Sequence, residues 1–210
     1  MTDRLDPARL DSLWDFEHAD ASAARFAEEI AAATSPAVVA ELQTQRARAL
    51  GLAGHGAEAD ALLASVDAVS PVVEVRLALE RGRRLNSDGH PAGAVPLFVE
   101  ALERAEASGE DFLAVDALHM LAIADELRSA EWAGRGIRFV EKSPDARTQR
   151  WSIALHNNLG WSHFDAERYR DALGEFELSL AAAERYGTEQ QQQWAREAIA
   201  EATERLTSGA

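Results

Sequence analysis

LHNNLGWSHFDAERYRDALGEFELSLAAAERY, residues 155–186, decides how the rest of the chain is read. In its first half Leu155, Leu159, Gly160 and His163 recur at spacings that place them on one face of a helix. Tyr169, Ala172, Leu173, Phe176 and Leu180 do the same in the second half. Asp165–Glu167 separates the halves as a short turn. Two helix-period stripes joined in this way describe a helical hairpin, with twelve residues from Gly160 to Ala172.

Working back towards the N-terminus, the same spacing returns. Gly82 to Ala94 is again twelve residues, with Val75, Leu79 and Leu85 on the first helix and Phe98, Ala101 and Leu102 on the second. The stretch NSDGHP, Asn86 to Pro91, breaks the two. Between these hairpins, DFLAVDALHMLAIADE puts Leu118, Leu121, Ala122 and Asp125 in the first-helix roles, and Trp132, Gly136, Ile137 and Val140 in the second. Ala122 to Gly136 is fourteen residues, so this turn is expected to be two longer. A degenerate hairpin precedes them, with Ala59, Leu62, Leu63 and Val66 apolar but Gln43 and Arg46 at usually apolar places. The small residues Ala47, Gly82, Ala122 and Gly160 are 35, 40 and 38 residues apart, as in a diverged array.

Helix starts are written in the capping chemistry. Asp6-Pro7, Ser35-Pro36, Ser70-Pro71 and Ser143-Pro144 each offer a side-chain acceptor followed by proline at the first helical position. Gly54 is placed to end one helix. The helix begun at Asp6 is read as carrying Leu10, Leu13, Trp14 and Phe16, and one from Ser143 as a long helix including Arg150 and Trp151. A second N-terminal helix, about 21–33, brings Phe26 and Ile30 together, and Thr188–Gln191 forms an S/T-x-x-Q capping box before a terminal helix over 192–206.

The order L-G-x-x-aromatic, twelve residues, then A-L-x-x-F resembles the tetratricopeptide repeat, a helix–turn–helix unit of about 34 residues. Two segments, FLAVDALHMLAIADE and SPDARTQRWSIALHNNLGWSHFD, are also similar to segments of bacterial tetratricopeptide proteins. The resemblance covers roughly residues 38–186. It implies an all-α fold, a right-handed α–α superhelix or solenoid of about four helix pairs. The expected organisation is capping helices over 1–35, repeats over 36–69, 70–109, 110–142 and 143–187, and a C-terminal capping helix and tail over 188–210. Each repeat would cover its neighbour's apolar face in one continuous core.

Composition narrows the function classes. The 210 residues are 47% hydrophobic, which supports a folded core. A net charge of −15 disfavours phosphate backbones, so no nucleic-acid partner is expected. There is no cysteine, which removes disulfides, zinc–thiolate sites and thiol catalysis. No apolar run reaches the ~18–20 residues of a membrane span, and MTDRLDPARLDSLWDF does not read as a signal peptide. A cytoplasmic protein with no membrane partner is expected. Lys142 is the only lysine among the basic residues. G-x-S-x-G, S-x-x-K, H-E-x-x-H, P-loop and G-x-G-x-x-G motifs are all missing, so neither an enzyme nor a cofactor is expected.

By resemblance, the first helices of such repeats line a concave groove that binds a peptide or a partner helix. The residues carried onto that groove are Asn157, Asn158 and Trp161, with Phe164 and Asp165 a turn on and Trp151 earlier on the same helix. In the middle repeats they are Arg76, Arg83, Asn86, Asp116, His119, Ile123 and Glu126. Paired amides can bond an extended peptide, and an indole offers it a flat platform. The plainer reading has the amides bonding helix ends and Trp161 packing.

Asp116 and His119, three apart, meet on one helix face and could be half a metal site or an oriented base. With Arg83 and Glu126 they define the alternative, a small-ligand or metal-binding protein. His156 and His163 read as core hydrogen-bonders. Arg83 is read as reaching the groove, while Arg81 and Arg84 pair with acids such as Glu80. The two-carboxylate clamp of chaperone-binding tetratricopeptide domains is not matched. Read from the second repeat, its positions hold Leu79, Arg83, Met120, Ala154 and Asn158. A third reading is a weak homo-oligomer through Trp14, Phe16 and Trp194.

Overall fold

A computed structural model describes residues 4–208, and among them there are helices and no strand. The chain divides into two compact units, Met1–Glu110 and Asp111–Ala210. No helix among the described residues is long and apolar enough to cross a membrane.

The first unit contains α1 (Pro7–Leu13), α2 (Ala19–Ala32), α3 (Pro36–Leu52), α4 (Gly56–Ser65), α5 (Pro71–Ser87) and α6 (Pro91–Ser108). Three of its helices begin as their Xaa-Pro pairs require. Asp6 Oδ1 accepts from the Arg9 N–H at 2.8 Å, Ser35 Oγ from Val38 at 3.4 Å and Ser70 Oγ from Val73 at 3.3 Å. Each side chain satisfies one amide that the helix itself leaves without an acceptor. Consecutive helices pack as pairs, and α3 packs also on α5. Phe26, Leu42, Val73 and Phe98 are fully buried in this unit. The expected first helix is shorter than its apolar pattern suggested. It ends at Leu13, and Trp14 and Phe16 follow in extended and turn backbone, their rings stacked 4.7 Å apart.

The second unit contains α7 (Asp111–Ala124), α8 (Ser129–Val140), α9 (Ala146–Gln149), α10 (Ser152–Asp165), α11 (Tyr169–Tyr186) and α12 (Glu189–Ser208). The longer turn after α7 is a 3-10 turn, Glu126–Arg128, and the Trp132 indole N–H donates back to Asp125 at 3.0 Å. Glu167 supplies the positive φ that turns α10 into α11. The capping box at the start of α12 is formed reciprocally: Thr188 N–H donates to Gln191 Oε1 at 3.0 Å, and Gln191 N–H to Thr188 Oγ1 at 3.3 Å.

One helix start differs from its sequence reading. Ser143-Pro144 does not cap; Asp145 does, accepting from Arg147 N–H, Thr148 N–H and Thr148 Oγ1–H at 3.2, 3.0 and 2.7 Å. A carboxylate with three donors outcompetes a serine hydroxyl with one. The expected long helix is also broken in two. Ser152 Oγ–H donates to the Gln149 carbonyl at 2.6 Å, and the Ile153 amide turns to Arg150 instead, an i→i−3 bond at 3.3 Å. Arg150 and Trp151 therefore lie at the break between α9 and α10.

Burial opposes ionisation of Asp145, but the hydrogen bonds from Thr148 and Arg147 outweigh it and hold its pKa below the ordinary 3.8. Asp145→Ala should cost about 0.5–2 kcal/mol at neutral pH. A depressed folded-state pKa gives stability that is present above the unfolded value and lost as pH falls through the folded one. The gap between variant and wild type in urea melts should therefore close on acidification below the ordinary value. A gap that persists at the lowest pH would remove the cap assignment.

Candidate binding groove

Helix α10 is the centre of the second unit, packed by α7 and α8 on one side and α11 on another. Residues one apart on a helix point about 100° apart, and Asn157 and Asn158 have different surroundings. Asn158 faces α7, where its Nδ2 lies 3.3 Å from His119 Nδ1. The His119 ring also lies 5.1 Å from that of Trp151, which packs on Phe112 at 5.6 Å, and the Arg147 guanidinium sits 3.5 Å over Phe112. Three of the expected binding residues thus meet here in an aromatic and amide cluster.

Asn157 turns the other way. With Ile153, Ala154 and Trp161 it forms one wall of a groove of about 480 Å³. The opposite wall is α12, through Trp194, Glu197 and Glu201, and Ser179 of α11 lies between. Ser179 is buried, and its hydroxyl donates to the Ile153 carbonyl at 2.9 Å. The Trp161 ring is held edge-on against Phe176 at 5.0 Å and Phe164 at 5.3 Å. It is thus a fixed platform at the groove wall. The Asn157 amide has no hydrogen-bond partner among the described residues. Trp194 is 57% exposed.

The other expected residues lie elsewhere. Arg76 is only 6% exposed, and its Nε is 3.4 Å from Glu41 Oε2 in the interior of the first unit. Arg83 donates to Glu80 at 2.6 Å, the i,i+3 pairing that helix geometry favours. Glu80 thus goes to Arg83 rather than to Arg81 or Arg84. Arg84 bonds Asp60 and Asp88 at 3.1 and 2.9 Å, and Arg81 bonds the Leu63 carbonyl at 3.2 Å. Asn86 sits half-buried in the last turn of α5, its carbonyl accepting from Gly89 at 3.1 Å. Asp116 is buried, whereas Glu126 is exposed on the 3-10 turn and off α7. His156 bonds Glu175 at 2.7 Å. Among the described residues no three His, Asp or Glu side chains gather as metal ligands would.

Sequence reasoning missed the α12 wall. Trp194, Glu197 and Glu201 fall at i, i+3 and i+7, a stripe visible in the sequence. The sequence reading assigned the last helix to a cap and Trp194 to self-association, and set neither against Trp161. No protein-family model matches the chain, and a comparison with curated proteins finds no match.

Proposed function

We propose that the chain is a tetratricopeptide-like binding module, a right-handed superhelix of about four helix pairs, which takes an extended segment of a protein partner and catalyses nothing. The observation that carries this reading is a packing device used once in each unit. A Cβ at Gly82 would run into the ring of Phe98, and one at Gly160 into the ring of Phe176. Both rings are fully buried, sixteen residues after their glycine. The same glycine–phenylalanine seat, with alanines at 94 and 172 buried between, is what a repeated hairpin with the tetratricopeptide pattern requires.

The α10/α12 groove is the site this reading offers a partner. It runs from Ile153 to Trp161, about 12 Å at the helical rise, which matches three to four extended residues. Trp161→Ala should weaken partner binding by ~1–3 kcal/mol, as truncation of a central aromatic anchor does. Because Trp161 also packs on Phe176, Asn157→Ala serves as the second variant. Affinity capture from the native lysate, with circular dichroism to check the fold, reads both. A partner retained undiminished by both folded variants would remove the groove from this role.

A further inference from the structure

Resting on the binding-module reading, we infer that the α10/α12 groove takes an extended peptide segment bearing arginine or lysine. The groove walls supply anionic and aromatic groups and no cation. Glu197 and Glu201 are one turn apart on α12, both exposed. Glu197 accepts one neutral hydrogen bond, from Gln193 Nε2 at 2.9 Å, and Glu201 has no hydrogen-bond or ion-pair partner among the described residues. Glu131 holds Arg128 and Glu175 holds His156, whereas Glu177 shares the unpartnered state of Glu201; what sets Glu197 and Glu201 apart is their place on the wall of a groove.

The groove lining carries Glu197 and Glu201 and no arginine, lysine or histidine. Arg135, Arg138 and Lys142 line a separate hollow along α8, beside Asp111. Cationic side chains therefore gather at one hollow of the unit and are missing from the lining of the other.

Trp161 and Trp194 complete the recognition chemistry. An indole face attracts a guanidinium or ammonium, more strongly when water is excluded, and a carboxylate pair one turn apart can receive an arginine fork. The Asn157 amide, on the wall facing Glu197 and Glu201, can bond the peptide backbone and fix its direction. An acidic occupant would meet Glu197 and Glu201 as like charges. A neutral one would leave both carboxylates without a partner.

The test uses the full chain and three fluorescein-labelled octapeptides of one sequence, with arginine, glutamine or glutamate at alternate positions, read by fluorescence anisotropy. The arginine peptide is expected to bind at least tenfold more tightly than the glutamine peptide, and the glutamate peptide weakest. Glu197→Gln/Glu201→Gln should abolish that tenfold preference, and raising the salt should erode it. Glu103→Gln/Glu177→Gln removes the same charge from exposed positions outside the groove and should leave the preference intact.

Equal losses in the two double variants would show attraction to net charge alone and overturn the inference. Equal binding of arginine and glutamine peptides, sensitive to Trp161→Ala, would overturn the cationic occupant while leaving the binding module standing. Absence of binding by all three peptides would overturn the inference, and lysate capture insensitive to Trp161→Ala would remove the module's groove as well.

Discussion

Arg76→Met is expected to lower stability by about 3–5 kcal/mol, the cost of leaving one member of a buried ion pair behind. Glu41 is 2% exposed; its Oε2 faces the Arg76 guanidinium as an ion pair, and among the described residues its Oε1 accepts one hydrogen bond, from the Leu5 amide at 3.3 Å. Without the guanidinium, that carboxylate must stay charged in the interior or take up a proton, and both oppose folding. The sequence pattern placed Arg76 among groove residues, so the result separates two roles. Urea denaturation should show the loss, and the double variant Arg76→Met/Glu41→Leu should recover part of it by replacing a pair with packed apolar groups. An Arg76→Met protein within 1 kcal/mol of wild type would mean the pair contributes little to the fold.

The second large effect lies in the glycine–phenylalanine seat. Phe176→Ala should cost about 3–5 kcal/mol, because the ring is fully buried and its removal opens a cavity beneath Trp161. Gly160→Ala attacks the same contact from the other side. The new methyl group would overlap the Phe176 ring, which Trp161 hinders from moving away, so about 1–3 kcal/mol is expected from overpacking. The two changes share one volume and should not add. Gly160→Ala/Phe176→Leu should be more stable than the sum of its single variants, since a smaller side chain makes room for the methyl. Strict additivity in denaturant melts would show that the two residues do not pack as described.

Helix existence was legible in the chain wherever local chemistry decides it. Pro7, Pro36 and Pro71 follow working caps, Gly54 takes a positive φ, and the Thr188/Gln191 box forms as its spacing requires. Those signals act within four residues and need no tertiary partner. What could not be read is what competition decides. Asp145 and Ser143 both offered a cap, and only their donors distinguish them. Arg83 and Arg84 are neighbours, yet Glu80 lies along the same helix from one, while Asp60, distant in sequence, reaches the other. At the candidate site, Trp161 and Asn157 were recognised from their own helix. The facing wall was not, because a groove exists only once two helices are set side by side.

That wall has a consequence for how the groove could be retuned. Helix α12 buries Ala195, Ala198 and Ala202, side chains too short to interlock like longer aliphatic ones. With Ile199 the one longer aliphatic of α12 packed against this cluster, the separation of Trp194 from Trp161 depends on the thickness of these alanine spacers. Lengthening the spacer that does not line the groove, Ala202→Val, would act as a shim: it would tilt the acidic wall outward and admit a bulkier occupant without altering any group that touches it.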